Sequence, residues 1–250
     1  MTTAVGVTRP ERPGAPVRVV ASDGLLAVRT VGRTADRAEV ALVATGAMLL
    51  GGDHVVVRVD VAAGCRLRIT DVGGTVAYDG EGAACRWDVE VRLGDDARLE
   101  WYGMPFVVSD GADVTRSTTV AAGARTRLVL RETVVLGRHG ERGGRVVLRS
   151  DLHDDAGPLL VEEVVAAGRS PVPGVLGGHR VLDTLTVLDG TDESDLPAGS
   201  ASRAAVAAPV DGAVTLRLDR GGALTRWLGP SVHLSPVERA LDPRHPLEER

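Results

Sequence analysis

Apolar and polar residues alternate along most of this chain, and the alternation recurs in copies about thirty residues apart. Val59-Asp60-Val61-Ala62-Ala63-Gly64-Cys65-Arg66-Leu67 returns as Val89-Glu90-Val91-Arg92-Leu93-Gly94, with Leu99 a little further on. It returns again as Thr118-Thr119-Val120-Ala121-Ala122-Gly123-Ala124, closed by Leu128, and more faintly as Leu152-His153-Asp154-Asp155-Ala156-Gly157-Pro158-Leu159. Apolar residues at every second position make a strand with one buried face, and the glycine marks a tight turn. Each copy therefore reads as strand, turn, strand. One such unit cannot bury its apolar face alone, so the copies must stack on one another. The pattern predicts a mostly β fold: a single domain of stacked, winding strands, β-helix-like or in layered sheets.

Further strands are predicted at 17–20, 25–31, 37–44, 145–152, 159–165, 181–188 and 214–218. Two short helices are expected near the C-terminus, at 223–228 and 235–241, the second opened by Ser235 as N-cap with Pro236 at the first helical position. Pro10, Pro13 and Pro16 suggest a flexible segment over 1–16, followed by the β domain over 17–241 and a frayed tail over 242–250.

Composition narrows the chemistry. Of the 250 residues 44% are hydrophobic but only 2% aromatic, so the core must be built from Val, Leu and Ala, with few rings to stack on sugars or bases. A net charge of -5 argues against nucleic acid as a partner. All 29 basic residues are arginine, which excludes a Schiff-base lysine and a phosphate-loop lysine. Cys65 and Cys85 form no CxxC pair and read as small, half-buried thiols. Residues 1–20 lack the apolar core of a signal peptide, and the longest apolar stretch, 40–50, is too short to span a bilayer. A cytoplasmic protein with no membrane partner is expected.

Asp53 and His54 are adjacent on a strand and so face opposite sides of a sheet. Neither HxH, HExxH nor GxSxG occurs. The acid pairs Asp71 and Asp79, Asp95 and Asp96, Glu162 and Glu163 could serve a glycosidase, but most sit in turns, where Asp is a turn former. Trp101 and Tyr102, with Met104 and Phe106 close behind, form either core or a partner-facing cluster. Glu132 interrupts an apolar phase made by Leu128, Leu130 and Val134; an acid there must be hydrated or paired with an arginine.

Taken in order, Gly51-Gly52-Asp53, Gly73-Gly74-Thr75 within 70–78, Leu99-Glu100-Trp101, Leu136-Gly137-Arg138 with Glu141, and Gly157-Pro158-Leu159-Leu160 with Glu162 resemble the urease accessory protein family UreD, called UreH in some bacteria. The chain departs from that family at Tyr102-Gly103-Met104-Pro105, where the family usually continues with Leu-Pro. The resemblance implies a non-enzymatic scaffold that binds apo-urease on one side and UreF on the other. UreF in turn recruits the GTPase UreG, which delivers nickel to urease. It also implies an internal polar passage for transient nickel, with no tightly bound cofactor or metal. Asp53, Thr75, Glu132 and Glu162 fall on acids or hydroxyls of the family's motifs and are candidates to line it; Trp101, Tyr102, Met104 and Phe106 are candidates for partner contacts. The alternative is a β-helical hydrolase or lyase acting on a polysaccharide.

Overall fold

The alternating runs are strands in a computed structural model, which describes residues 1–171, 173–190 and 212–237. The winding part of the chain runs through β4 (Arg37–Ala44), β5 (His54–Val61), β6 (Arg66–Asp71), β7 (Thr75–Ala77), β8 (Cys85–Leu93), β9 (Arg98–Tyr102), β10 (Phe106–Val108), β11 (Asp113–Ala122), β12 (Arg127–Leu136) and β13 (Arg145–Asp154). Before it lie β1 (Thr2–Thr8), β2 (Arg18–Ser22) and β3 (Leu26–Arg33); after it come β14 (Gly157–Ala167), β15 (Val181–Asp189), β16 (Val214–Arg217) and β17 (Gly222–Gly229). These strands form two facing sheets. One has seven strands in the order β14-β13-β11-β8-β5-β1-β2. The other has ten, in the order β16-β17-β15-β12-β9-β6-β4-β3, with β7 and β10 pairing beside the far half of β12.

From β4 to β13 the chain passes from sheet to sheet and each strand pairs in parallel with its counterpart one turn earlier. His54 lies against Arg86, Cys85 against Val114 and Asp113 against Arg145, which is the thirty-residue recurrence made physical. Repeated residues consequently stack on their own copies: Val59 on Val91 on Val120, and Leu67 on Leu99 on Leu128, all buried. Each such side chain removed from water contributes roughly 1.5–3 kcal/mol. The repeated glycine has a separate cause. A Cβ on Gly94 would lie 2.7 Å from the Ala63 nitrogen, and one on Gly123 2.8 Å from the Asp95 nitrogen, so each turn rests backbone on backbone upon the one before. The faint fourth copy differs: β13 and β14 make an antiparallel hairpin within one sheet, so the winding ends there.

Two expectations are corrected. Within 1–16, Thr2–Thr8 is a strand held between β2 and β5, because Val5 and Val7 carry the same alternation into the core. The segment 223–228 is strand, not helix: Ala223, Thr225 and Trp227 alternate with Leu224, Arg226 and Leu228, and the run pairs antiparallel with β15. Between Val232 and Leu234 there is only a single 3-10 turn. Ser235 does accept a bond from the Val237 N–H at 3.2 Å, as an N-cap would, but 238–241 and the tail 242–250 lie outside the described residues.

The outer face of β12 and β15 is also covered. Val129, Leu185, Val187 and Trp227 form a second cluster with Val237. Beside it Arg131 meets the fully buried Asp183 through two hydrogen bonds of 3.1 and 2.8 Å, and Thr133 adds a third at 2.8 Å.

Candidate functional site

The inner faces of the two sheets change character along the axis of the coil. On the seven-stranded sheet one inward row reads Val57, Val89, Thr118, Ser150, Glu162, from apolar to acidic. On the facing sheet Tyr102 pairs with both Thr70 and Arg131, which sets Asp71, Gly103 and Glu132 in one row. That row continues through Thr184 to Arg226. Two polar rows therefore face each other across the interior, where a regular coil would present only Val and Leu.

Every acid of this seam is held. Glu132 accepts three bonds, all on Oε1: from Arg116 Nε and Nη2 at 3.2 and 2.9 Å and from Thr118 at 2.8 Å. Glu162 on β14 meets Arg226 on β17 across the gap at 2.7 and 2.6 Å. Asp71 accepts from Trp101 Nε1 and from the Met104 N–H, both at 3.0 Å. Burial pushes the Asp71 carboxyl above the usual range, against the pull of those donors and of the nearby Arg116 charge. The Arg116 guanidinium lies 5.0 Å from the Phe106 ring centroid and 5.9 Å from that of Trp87. Trp87 Nε1 is buried with no hydrogen-bond partner among the described residues.

Three cavities follow the seam. The first, about 160 Å³, opens beside Met48, Gly73 and Tyr78 and reaches Asp71, Thr75 and Trp87. The same three residues wall a second, of about 20 Å³, which ends at Arg116 and Glu132. Those two in turn wall a third, of about 30 Å³, bounded further on by Thr118, Ser150, Thr184, Glu162 and Arg226. Gly103 keeps the middle open: it stands between Asp71 and Glu132 in the row and offers no side chain. A still larger cavity, about 300 Å³, lies apart, between 136–142 and 166–180. Its one acid, Glu141, is taken up by Arg138 and by the Asp110 N–H.

Of the residues expected to line a passage, Thr75, Glu132 and Glu162 fall on this seam. For Glu132 the ion pair and the cavity wall turn out to be the same arrangement. Asp53 does not belong: it accepts from the Leu50 N–H at 3.0 Å and serves the turn before β5. Among the expected partner contacts, Trp101 and Phe106 are core residues, 4% and 1% exposed, because both face inward. Tyr102 faces outward and is half-buried beneath Arg68, while Met104 is 45% exposed. The sequence reading missed Trp87, Arg116, Thr118, Ser150, Thr184 and Arg226, and took Asp71 for a turn former. The signal was available: each is polar, or carries a polar group, at a position in phase with apolar neighbours, the test that singled out Glu132.

Both ends of the seam carry exposed apolar residues. Tyr78 lines the first cavity and Met104 the second, and both are exposed, as are Leu50 and Val72; at the other end Val161, next to Glu162 in β14, and Val214, paired with Arg226 from β16, are exposed, as is Leu216. Among the described residues no three His, Cys, Asp or Glu side chains converge on a point that could hold a metal, and no helix is long and apolar enough to cross a membrane. Burial pushes the Cys85 thiol up to about 11, helped by Asp53 and Asp113, so it is inert near neutral pH.

A family model described as "UreD urease accessory protein" matches residues 8–241. The chain is 39% identical over 188 residues to "Urease accessory protein UreD 1" of Streptomyces griseus, an alignment covering 74% of each chain. It is 37% identical over 182 residues to the UreD of Streptomyces coelicolor, covering 71% of this chain and 72% of that one. It is 30% identical over 235 residues to "Urease accessory protein UreD 2" of Saccharopolyspora erythraea, covering 90% of this chain and 81% of that one. The chain belongs to the UreD urease accessory protein family.

Proposed function

We propose that this protein is a non-catalytic scaffold in the cytoplasm that binds apo-urease at one end of its coil and UreF at the other. UreG, recruited through UreF, supplies GTPase-driven nickel, and the seam between the sheets carries the ion toward urease. The observation that carries this reading is the row of three cavities from Asp71 to Glu162, set between two apolar rims. Carboxylate and hydroxyl oxygens suit a passage, since they hold a divalent cation more weakly than clustered imidazoles or thiolates and so can release it. Exposed apolar residues at both mouths suit two docking partners. The polysaccharide-cleaving alternative is not taken up, because Asp71, Glu132 and Glu162 are each engaged by N–H donors or an arginine, rather than poised around a substrate groove.

Co-expression with UreF and apo-urease tests the reading. A ternary complex should co-purify, and urease recovered with Glu132→Gln should hold less nickel while the complex still assembles. Fully nickel-loaded urease from cells carrying Glu132→Gln would remove the passage; a chain that co-purifies with neither partner would remove the scaffold.

A further inference from the structure

This inference rests on the passage reading and concerns what blocks the passage at rest. The second and third cavities meet at a wall made by Arg116 and Glu132. Arg116 occupies an inward position that its row gives to Val55, Trp87 and Leu148 on the other strands, so a charge stands where the coil otherwise places apolar bulk. Its side chain is 12% exposed and that of Glu132 is 16%. A guanidinium keeps its charge at every accessible pH, so the barrier cannot be lifted by deprotonation. It can, however, move. Glu132 holds it through one oxygen only, and the faces of Phe106 and Trp87 already lie against the guanidinium, a non-ionic contact that need not break with the ion pair.

We infer that Arg116 is an exchangeable internal cation: it fills the place of a divalent ion at Glu132, and such an ion passes only by displacing it. The resting seam then repels dications and holds none. When Arg116 lets go of Glu132 and rests on the aromatic faces alone, the Glu132 carboxylate and the Thr118 hydroxyl are freed for a cation beside the cavity that Asp71 and Thr75 also line. Trp87, whose buried Nε1 has no partner among the described residues, lines the same 20 Å³ space, which has room for a single water, the ligand a cation in transit would bring with it.

Titration of the purified full-length chain with NiCl2 by calorimetry tests this. Arg116→Met removes the charge but keeps a long side chain against Phe106 and Trp87. It should bind one Ni2+ at least tenfold tighter than the parent, and Arg116→Met/Glu132→Gln should lose that gain. Equal Ni2+ binding by a folded Arg116→Met and the parent overturns the inference. If Arg116→Met does not fold, Arg116→Gln, which keeps a donor toward Glu132, takes its place. If neither neutral variant folds, Arg116 is a fixed tie that cannot vacate its seat, and the inference also falls. Because the readout is Ni2+ affinity of the isolated chain, it stays separate from the nickel content of urease, which decides the passage itself.

Discussion

Glu162 and Arg226 join the two sheets across the open side of the coil, carboxylate to guanidinium, through bonds of 2.7 and 2.6 Å. Both side chains are about three-quarters shielded, at 27% and 25% exposed, so the pair lies between a surface bridge and a buried one. Glu162→Ala should therefore cost about 1–2 kcal/mol of unfolding free energy in urea. Loss below about 0.3 kcal/mol would show the sheets to be held there by packing alone.

Gly103 carries a steric requirement. A Cβ there would lie 2.7 Å from the Arg131 carbonyl oxygen and 3.8 Å from Asp71 Oδ2. Gly103→Ala should destabilise the chain by about 1–3 kcal/mol, through the shift forced on β9 and β12. A variant with the parent's melting temperature would mean that the strands part there at no cost.

The turn at Arg138–Glu141 sets an acid limit. Hydrogen bonds from the Arg138 side chain and from its N–H hold the Glu141 carboxyl at about 2, below its ordinary 4.5. A depressed carboxyl contributes stability above its unfolded value and loses it as pH falls. The parent's melting temperature should thus drop between pH 4.5 and about 2, and Glu141→Gln should flatten that part of the curve. Parallel curves for the two proteins would exclude Glu141 as the source.

The two apolar rims should be separable. Met104→Asp and Val161→Asp each place a charge on an exposed residue, 45% and 69% accessible, and should leave the melting temperature within a degree or two. In pull-downs each should weaken one of the two partnerships proposed above, with UreF or with apo-urease, and spare the other. Equal loss of both partners with either variant would argue that a single face does all the docking.

Much of this architecture was legible because the coil repeats. Val59, Val91 and Val120 share a phase and a spacing, and stacking is the only way to bury them together, so the winding could be read from the letters. The end of the winding could not. The copy at Leu152 has the same phrase, yet the Asp155–Ala156 turn sends the chain back within its own sheet, and no local feature separates a coil turn from a hairpin turn. Ala223–Leu228 misled for a related reason: its short apolar run fits either period, and pairing with β15 decides it. Of the seam, Glu132 and Glu162 were found because they are acids. Arg116 and Ser150 share the phase of their apolar neighbours, but arginine and serine are ordinary on solvent faces, so the phase alone does not draw the eye to them as it does to an acid; the register places them inward.

The placement of β1 sets the order in which the molecule can be completed. It leaves the ribosome well before β5, yet it lies parallel to β5, with Val5 opposite Val59 and Val7 opposite Val61. Its other neighbour, β2, is local and antiparallel, so a hairpin can form early but has no sheet to join until the chain has grown by about forty residues more, from Ser22 to Val61. The nascent protein cannot simply wind up from one end. Pairings this distant in sequence carry a loop-closure cost before they return any contact, and they make folding slow. Until β5 arrives, Val5 and Val7 stay in water, and the interval between synthesis and docking of that first strand is when the chain is most exposed to misassembly.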